Sequence, residues 1–322
     1  MMTINRIMIV RTDSIGDVML TLPMAYYLKQ LYPLSQIVFM GKSYTQDVIH
    51  RCPWVDQFVN ADEYHELKDT KSLFAELNLD AVVFALPDQF WMKAAYHAKV
   101  KVRVATGHRW YSWMWATHRP MFGRKNSPLH ESQLNLKLLQ PLGFHSIPDL
   151  DQLAQLSLLK PIDSAFNNRL IIHPFSQGSA LNWTLDQYDE LVSLLKDAPF
   201  EMVVSGTAKD AETLRQYQGK HLTSIPSVCG QLTLDGFIDY IGNSRALLAC
   251  STGPLHIAAA LGIKAVGLYV DRRPIHPGRW SPIGAQVYVL KEADEGQNQI
   301  LITPAEVAIF LKTIMEPPAT RL

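Results

Sequence analysis

Short apolar runs alternate with amphipathic segments along the first half of the chain. The apolar runs at 7–10, 37–40 and 81–85 have the length of buried strands. Val100, Val102 and Val104 alternate with basic residues, as in an edge strand. Helical spacing of apolar residues occurs at 18–31, 43–50, 66–77 and 89–98. Strands that alternate with helices predict an α/β fold with a parallel, doubly wound sheet.

The second half repeats this alternation after a segment interrupted by Pro141, Pro148 and Pro161. The predicted strands are 170–173, 201–205, 246–250 and 265–269, and the predicted helices are 185–195, 208–217, 234–241, 255–261 and 304–315. We therefore expect two facing Rossmann-like domains, residues 1–155 and 156–322. Because ligands bind outside the carboxyl ends of parallel strands, a cleft between the domains is the expected site.

A predicted strand, a loop of small residues and a predicted helix follow one another at 246–261. Ser251, Thr252 and Gly253 form the loop, and Pro254 suits the first turn of the helix. Such a loop directs backbone N–H groups and the positive end of a helix dipole at one point, which suits a phosphate. An ordinary strand-to-helix turn has the same pattern, so the loop alone leaves both interpretations open.

Composition narrows the classes of function. The 322 residues include 30 basic and 30 acidic side chains, so a charged partner must be met by a local patch. Cys52, Cys229 and Cys250 lack metal-ligand spacing and are expected to be reduced thiols. No signal-like or membrane-spanning stretch is visible, and we therefore expect a cytoplasmic protein that does not span a membrane. Neither a metal nor a cofactor is expected.

A basic and aromatic segment without any acidic residue lies between Asp88 and Glu131. Its basic residues and tryptophans are Lys93, Lys99, Lys101, Arg103, Arg109, Arg119, Arg124 and Lys125 with Trp91, Trp110, Trp113 and Trp115. This mixture suits an anionic glycolipid or a membrane surface. Core aromatics beneath a solvated basic face would have the same composition. Nucleic acid ranks lower, because stacking platforms usually lie on strands and this segment reads as loops.

Two common nucleotide-binding fingerprints do not occur in the sequence. No GxGxxG follows a predicted strand, which argues against a dinucleotide site. Gly41-Lys42-Ser43 resembles the end of a P-loop, but Gln36 stands where the first glycine is required. The loop at 251–254 therefore suits a diphosphate held by amides and hydroxyls, as in a nucleotide-sugar, better than magnesium-dependent phosphoryl transfer.

Three separate motifs occur in order along the chain. They are Arg11 to Asp17 followed by Leu20-Thr21-Leu22-Pro23, His173-Pro174 with Ser176 to Ser179 and Trp183, and Ser251 to His256 followed by 258–262. Together they resemble glycosyltransferase family 9, the heptosyltransferase family of lipopolysaccharide assembly. The resemblance spans residues 4–315 and implies a GT-B fold. It also implies inverting, metal-independent transfer from ADP-heptose or a related donor, bound by the C-terminal domain, to a lipid-linked saccharide on the N-terminal domain.

The resemblance assigns the catalytic base to Asp17. Inversion needs a carboxylate that takes the proton of the attacking acceptor hydroxyl, and a helix start favours the ionised form by about 0.3–1 kcal/mol. Asp13 is the rival carboxylate, and simple stabilisation of the helix start is the alternative role of Asp17. The residues expected to contact the acceptor are Asp13, Ser14, Gly16, Arg109 and Arg119.

The donor is assigned to the loops around Ser176 and Thr252. Thr252 and the amides of Gly253 and Leu255 are the predicted phosphate contacts. The remaining predicted donor contacts are Ser176, Gln177, Gly178, Ser179, Ser251, Pro254 and His256. Arg273 lies in a cationic loop with Arg272, His276 and Arg279 that would neutralise the leaving group. A solvated turn is the alternative interpretation of that loop.

Two positions depart from the pattern that many members of the family share. Leu181 stands where many carry a basic residue two positions before the tryptophan, and Ser251 stands where many carry Asp. These differences predict a rearranged donor site, a donor other than ADP-heptose, or lost activity. The competing functions are a nucleotide-sugar epimerase of the same fold and a catalytically silent glycolipid-binding protein.

Overall fold

The computed structural model describes residues 4–65, 70–162, 167–176, 178 and 181–316. The chain divides into two compact units, Met1–Lys160 and Pro161–Leu322, where the sequence placed the division after residue 155. Each unit contains one five-stranded sheet in which the neighbouring strands are parallel. Among the described residues, no helix combines the length and the apolar character that a membrane span needs.

The sheet of unit 1 has the strand order β3-β2-β1-β4-β5. Its strands are β1 (Arg6–Val10), β2 (Gln36–Gly41), β3 (Gln57–Asn60), β4 (Ala81–Phe84) and β5 (Val102–Val104). The central strand β1 pairs with both β2 and β4 through Ile7, which lies opposite Ile37 and Ala81. Since the strands are parallel, the loops that follow β1, β2, β4 and β5 leave from the same edge of the sheet.

Nine described helices belong to unit 1. They are α1 (Ile15–Met19), α2 (Pro23–Leu31), α3 (Gln46–His50), α4 (Ala61–His65), α5 (Thr70–Glu76), α6 (Gln89–His97), α7 (Trp110–Trp115), α8 (Glu131–Leu136) and α9 (Leu150–Ala154). The single helix predicted over 18–31 is wrong. Pro23 is the first residue of α2, where its missing N–H costs nothing, and it separates α2 from α1. The predicted helix at 66–77 begins at 66–69, which lies outside the described residues.

The sheet of unit 2 has the strand order β10-β9-β8-β6-β7. Its strands are β6 (Asn167–His173), β7 (Glu201–Val204), β8 (Ser244–Cys250), β9 (Lys264–Val270) and β10 (Val287–Glu292). Its described helices are α10 (Leu185–Leu194), α11 (Ala208–Gln216), α12 (Leu234–Gly242), α13 (Gly253–Ala260), α14 (Pro277–Trp280) and α15 (Pro304–Met315). The buried faces of β6, β8 and β9 form a core with α10 and α15.

Candidate active-site residues

Asp17 lies in the first turn of α1, directly after the loop that leaves β1. The hydroxyl of the N-cap residue Ser14 accepts a hydrogen bond from the Asp17 amide at 3.4 Å and donates to Asp17 Oδ2 at 2.6 Å. Asp17 Oδ1 accepts from the guanidinium of Arg11. The carboxylate is therefore held at both oxygens, while 18% of its side chain stays exposed.

Arg11 is the buried cation of this loop, with only 4% of its side chain exposed. Its Nε donates to Asp13 Oδ1 at 2.6 Å, and its Nη1 lies 3.7 Å from Glu131 Oε1. Burial alone would lower the pKa of Arg11, but Asp13, Asp17 and Glu131 together outweigh it and raise the pKa. Arg11 is thus a permanent positive charge between three carboxylates.

Asp13, the rival base, lies beside Asp17 in the same loop. Burial raises the pKa of Asp13 against the opposing effect of Arg11, and the nearby Asp17 charge raises it further. The hydroxyl of Tyr44, from the loop after β2, donates to the Asp13 carbonyl at 2.8 Å. Since a raised pKa suits a general base near neutral pH, the structure keeps Asp13 a chemically reasonable rival.

A second cation, the half-buried Arg124, pairs with the buried Glu131, and the sequence did not predict this pair. Glu131 is the first residue of α8, 2% of its side chain is exposed, and its Oε1 accepts from Arg124 Nη1. Arg124 also donates to the Ala85 carbonyl at 3.0 Å, beyond the end of β4. An acid at the head of the apolar-rich segment 131–139 is the signal that could have indicated a buried Glu131.

Asn135 joins the same cluster to the end of α1. Its Oδ1 accepts from Arg124 at 2.9 Å, and its Nδ2 donates to the Leu20 carbonyl and to Thr21 Oγ1, both at 3.1 Å. The Thr21 hydroxyl in turn donates to the Asp17 carbonyl at 2.8 Å. Side chains of α8 are therefore linked to Asp17 indirectly, to its carboxylate through Arg11 and to its carbonyl through Thr21.

The predicted acceptor residues fall into two groups. Asp13, Ser14 and Gly16 lie in the segment that carries Asp17. Arg109 is the exposed N-cap of α7, after β5, and Arg119 stacks its guanidinium 4.9 Å from the centre of the Trp113 ring. The two groups belong to loops at the same edge of the unit 1 sheet.

The basic and aromatic segment forms a smaller surface than its composition indicated. Trp91 and Trp115 belong to the core of unit 1, so the surface interpretation of these two is wrong. Arg103 donates to the Trp115 carbonyl at 2.6 Å, and Arg124 pairs with the buried Glu131. Lys93, Lys99, Lys101 and Lys125 are exposed too. The exposed or half-buried residues in and around α7, which we call the aromatic surface, are Arg109, Trp110, Trp113, Met114, Arg119 and Met121.

In unit 2, the loops predicted to bind a donor follow three neighbouring strands. His173 at the end of β6 lies opposite Ala249 of β8, and Cys250 lies opposite Leu268 of β9. The loops after these strands carry Ser176, Thr252 and Arg273 in the spatial order of β6, β8 and β9. Burial lowers the pKa of His173 to about 4, so the imidazole stays neutral beside the Ser205 hydroxyl, 3.0 Å from its Nδ1.

Thr252 is the N-cap of the eight-residue helix α13, and it is 8% exposed. Its side chain does not cap the helix, and within the described chain its Oγ1 has no hydrogen-bond partner. A buried hydroxyl of this kind costs about 1–3 kcal/mol, which a ligand oxygen would recover. The Gly253 amide points out of the first turn and has no intrahelical acceptor.

Leu255 and Pro254 follow Thr252 in the first turn of α13. The Leu255 amide donates to the Thr252 carbonyl at 3.2 Å and its side chain is fully buried, so a phosphate would have to compete with this bond for the predicted amide contact. Pro254 is the second residue of α13 and has no N–H. His256 follows in the same turn and is buried. The Ser251 hydroxyl bonds to the buried Tyr269.

The loop after β6 is described only in part. Ser176 Oγ is buried and lacks a hydrogen-bond partner among the described residues, as Thr252 Oγ1 does. Gly178 has a φ of +79°, a left-handed conformation that suits glycine. Gln177 and Ser179, which the sequence also assigned to the donor, lie outside the described residues.

The cationic loop after β9 separates into structural and exposed cations. Arg272 is fixed by Asp294, 2.8 Å from its Nε, and by the Gln297 carbonyl. Arg273 is exposed. Burial lowers the pKa of His276, and Arg273 lowers it further, so His276 adds no charge at neutral pH. Arg279 stacks 4.6 Å from the centre of the Trp280 ring.

Leu181 is part of the hydrophobic packing of unit 2, against the core that contains Trp183. Trp183 Nε1 donates to the Ile302 carbonyl at 2.9 Å. A side chain at position 181 therefore supports the core in this chain and supplies no charge to a donor. Among the described residues, no three His, Cys, Asp or Glu side chains are grouped as a metal site.

Comparison with known sequences decides the family. The model of glycosyltransferase family 9 (heptosyltransferase) matches residues 78–301, across parts of both units. The chain belongs to glycosyltransferase family 9. The resemblance drawn from the three motifs is thereby confirmed, and this family 9 protein is a glycosyltransferase.

Individual relatives match most of the chain. A Haemophilus influenzae protein provisionally named a glycosyltransferase is 26% identical over 300 residues, which cover 87% of this chain and 86% of the relative. Lipooligosaccharide heptosyltransferase 2 of Haemophilus ducreyi is 24% identical over 355 residues, which cover 96% of this chain and 99% of the relative. The structure of E. coli ADP-heptose lps heptosyltransferase II aligns with a TM-score of 0.76 at 20% identity. The alignment covers 96% of this chain and 98% of the E. coli chain. This likeness confirms the predicted GT-B fold class.

Proposed function

We propose that this family 9 glycosyltransferase moves heptose, or a related sugar, from a nucleotide-sugar to a lipopolysaccharide-type glycolipid with inversion. ADP-heptose is the first donor to test, because the E. coli relative is named for it and the Haemophilus ducreyi relative is named for lipooligosaccharide. Unit 2 would bind the donor and unit 1 the acceptor.

One observation carries the donor assignment. Thr252 presents a buried hydroxyl without a partner among the described residues, at the positive end of α13 and between the loops of Ser176 and Arg273. A diphosphate supplies acceptor oxygens and negative charge, which these groups match. The Ser251 hydroxyl lies at the same loop, and His256 lies in the first turn behind it.

Asp17 would act as the general base on the acceptor side. It takes the proton as the acceptor hydroxyl attacks the anomeric carbon from the face opposite the diphosphate. The bond between the anomeric carbon and the diphosphate oxygen breaks as the new glycosidic bond forms, which inverts the configuration. Thr252, the Gly253 amide and Arg273 would stabilise the charge that develops on the departing diphosphate.

Thr252→Val tests the donor site directly. The change keeps the shape of the side chain and removes the hydroxyl, and a hydrogen bond to a charged group contributes about 1.5–3 kcal/mol. We expect ADP and ADP-heptose to bind about 10- to 100-fold more weakly in calorimetric titrations. Thr213→Val, on the exposed helix α11, is the matched control and should bind as the wild type does.

Product analysis distinguishes the competing functions. Conversion of the donor sugar without any acceptor would identify an epimerase, and binding without turnover would identify a silent glycolipid-binding protein. A thermal shift with no nucleotide-sugar of a panel, while a control transferase responds, would contradict the enzyme proposal itself.

The aromatic surface is the proposed contact with the glycolipid and the membrane. Trp110 and Trp113 are 64% and 61% exposed, and Arg109 and Arg119 flank them. Indole rings and cations together suit the interface of an anionic bilayer. We accordingly propose a cytoplasmic protein bound peripherally to the inner face of the inner membrane, with no role in nucleic-acid binding.

Vesicle sedimentation tests this surface. A variant carrying Arg109→Gln, Trp110→Ser and Trp113→Ser should bind phosphatidylglycerol vesicles several-fold more weakly than the wild type, since one cation near the surface contributes about 1 kcal/mol. The control, Ile309→Ser with Lys312→Gln, removes an exposed apolar side chain and a cation from α15. Equal binding of the wild type and the aromatic-surface variant would refute the contact.

A further inference from the structure

Glu131 is a buried carboxylate that the proposed reaction does not use. It lies between two guanidiniums, accepting from Arg124 and standing 3.7 Å from Arg11 Nη1. With Asp13 and Asp17, it makes a cluster of three carboxylates and two guanidiniums at the carboxyl edge of the unit 1 sheet. Three negative charges face two positive charges, which leaves one negative charge in excess. The three carboxylates therefore compete for the two guanidiniums.

The position of Glu131 is fixed by the start of α8. His130 caps this helix with its Nδ1, which accepts from the Ser132 amide at 3.3 Å, and Gln133 accepts from the His130 amide. The first turn of a helix also favours a negative side chain. Asn135, one turn later, holds Leu20 and Thr21. Both ends of this short helix are thus tied to the segment that carries Asp17.

Stability alone gives little reason for such a cluster. Replacing a buried ion network by apolar side chains of similar volume is often neutral or stabilising, because desolvation offsets the attraction between the charges. A general base, in contrast, has to be held in one orientation with a defined charge around it. The second requirement explains why charged groups are retained here.

We propose that Glu131 is a positioning residue for sugar transfer, which acts through Arg11 on the orientation and the ionisation of the Asp17 carboxylate. Glu131 attracts the Nη1 end of the Arg11 guanidinium. This orients the guanidinium so that its Nε donates to Asp13 and its Nη2 donates to Asp17. Arg124 holds Glu131 in turn. The inference rests on the proposed role of Asp17 as the base.

The charged groups that face Asp17 set the direction of the expected pH effect. They are Arg11 and Asp13 of its own loop, Glu131 of α8 with its partner Arg124, and Tyr44 of the loop after β2. Glu131→Gln removes one negative charge, so Arg11 then balances two carboxylates instead of three. Ionisation of Asp13 and Asp17 becomes easier, and the acid limb of the pH–rate profile moves to lower pH.

Kinetics of Glu131→Gln, with ADP-heptose as donor, give the first test. We expect kcat to fall on the order of 100-fold, as for a misplaced catalytic group, with an unchanged KM for the donor. Glu131→Asp should restore the position of the acid limb, because it restores the charge. Asp56→Asn is the control, since it breaks another ion pair of unit 1, 2.7 Å from Lys29 and before β3. If activity falls but the acid limb of the pH–rate profile does not move, Glu131 has only a structural role and the inference is wrong.

Carboxyl NMR gives a second test that needs no substrate. In protein labelled with ¹³C at aspartate carboxyls, the Asp17 signal is identified by its loss in Asp17→Asn. The titration midpoints of the Asp13 and Asp17 signals should move to lower pH in Glu131→Gln and stay in place in Asp56→Asn. Unmoved midpoints would overturn the inference. Moved midpoints in a protein that transfers no sugar would support the cluster and contradict the proposed function instead.

Discussion

Asp17→Asn should lower kcat for sugar transfer by about 10²- to 10⁴-fold, the usual contribution of a general base. Asparagine keeps the size of the side chain but cannot take the proton of the acceptor hydroxyl. The proposed donor loops belong to unit 2, so ADP should bind to this variant as tightly as to the wild type. Single-turnover transfer assays, with calorimetric titration of ADP, measure the two quantities separately.

Asp13→Asn is the matched comparison, because it removes the other carboxylate of the same loop. It removes the negative charge that accepts from Arg11 Nε at 2.6 Å in the wild type. Because Arg11 also holds Asp17, the change should disturb the orientation of Asp17 without removing the base. We therefore expect a smaller loss of kcat than in Asp17→Asn. The opposite ranking, with Asp17→Asn nearly active and Asp13→Asn inactive, would transfer the role of base to Asp13.

Arg11→Met should lower the free energy of unfolding by about 3–5 kcal/mol at neutral pH, since it leaves buried carboxylates without their shared cation. The loss should shrink as the pH is lowered. Burial raises the pKa of Asp13, and without Arg11 the largest opposing effect is lost, so the folded state binds a proton more readily and gains stability as the pH falls. Urea unfolding at several values from about pH 5 to about pH 8 measures both the loss of unfolding free energy and its dependence on pH.

Arg215→Met is the control for this stability measurement. Arg215 pairs with Glu212 on the surface of α11, where 71% and 54% of the two side chains are exposed. An exposed pair of this kind contributes little, and the variant should unfold like the wild type. An Arg11→Met variant as stable as this control would show that the buried cluster is not balanced by Arg11.

Apolar runs made most of the fold predictable from the sequence. The central strands β1 and β8 are almost wholly buried, and a continuous apolar run indicates such strands directly. The edge strand β10 was missed because its side chains are only half-buried and include Lys291 and Glu292. The break at Pro23 was missed because the apolar spacing continues through it, although proline marks a helix start.

The candidate site was predictable where its residues are neighbours in the chain. Within one loop, Arg11 contacts Asp13 and Asp17, and Ser14 contacts Asp17. Thr252 likewise lies at the N-cap position of the helix that directly follows it. Asn135 could not be found this way, because the Thr21 hydroxyl that it contacts lies 114 residues earlier. The burial of Trp115 was also hidden, since the composition of a segment does not tell which of its side chains face the core.

The long separation between the two sides of the charge cluster has a consequence for biosynthesis. The segment that carries Asp17 leaves the ribosome before α8 does, because the Asn135 that contacts the Leu20 carbonyl is made 115 residues later. During that interval Arg11 has neither Glu131 nor the support of α8. The proposed base therefore reaches its final ion pairs only after most of unit 1 has been synthesised.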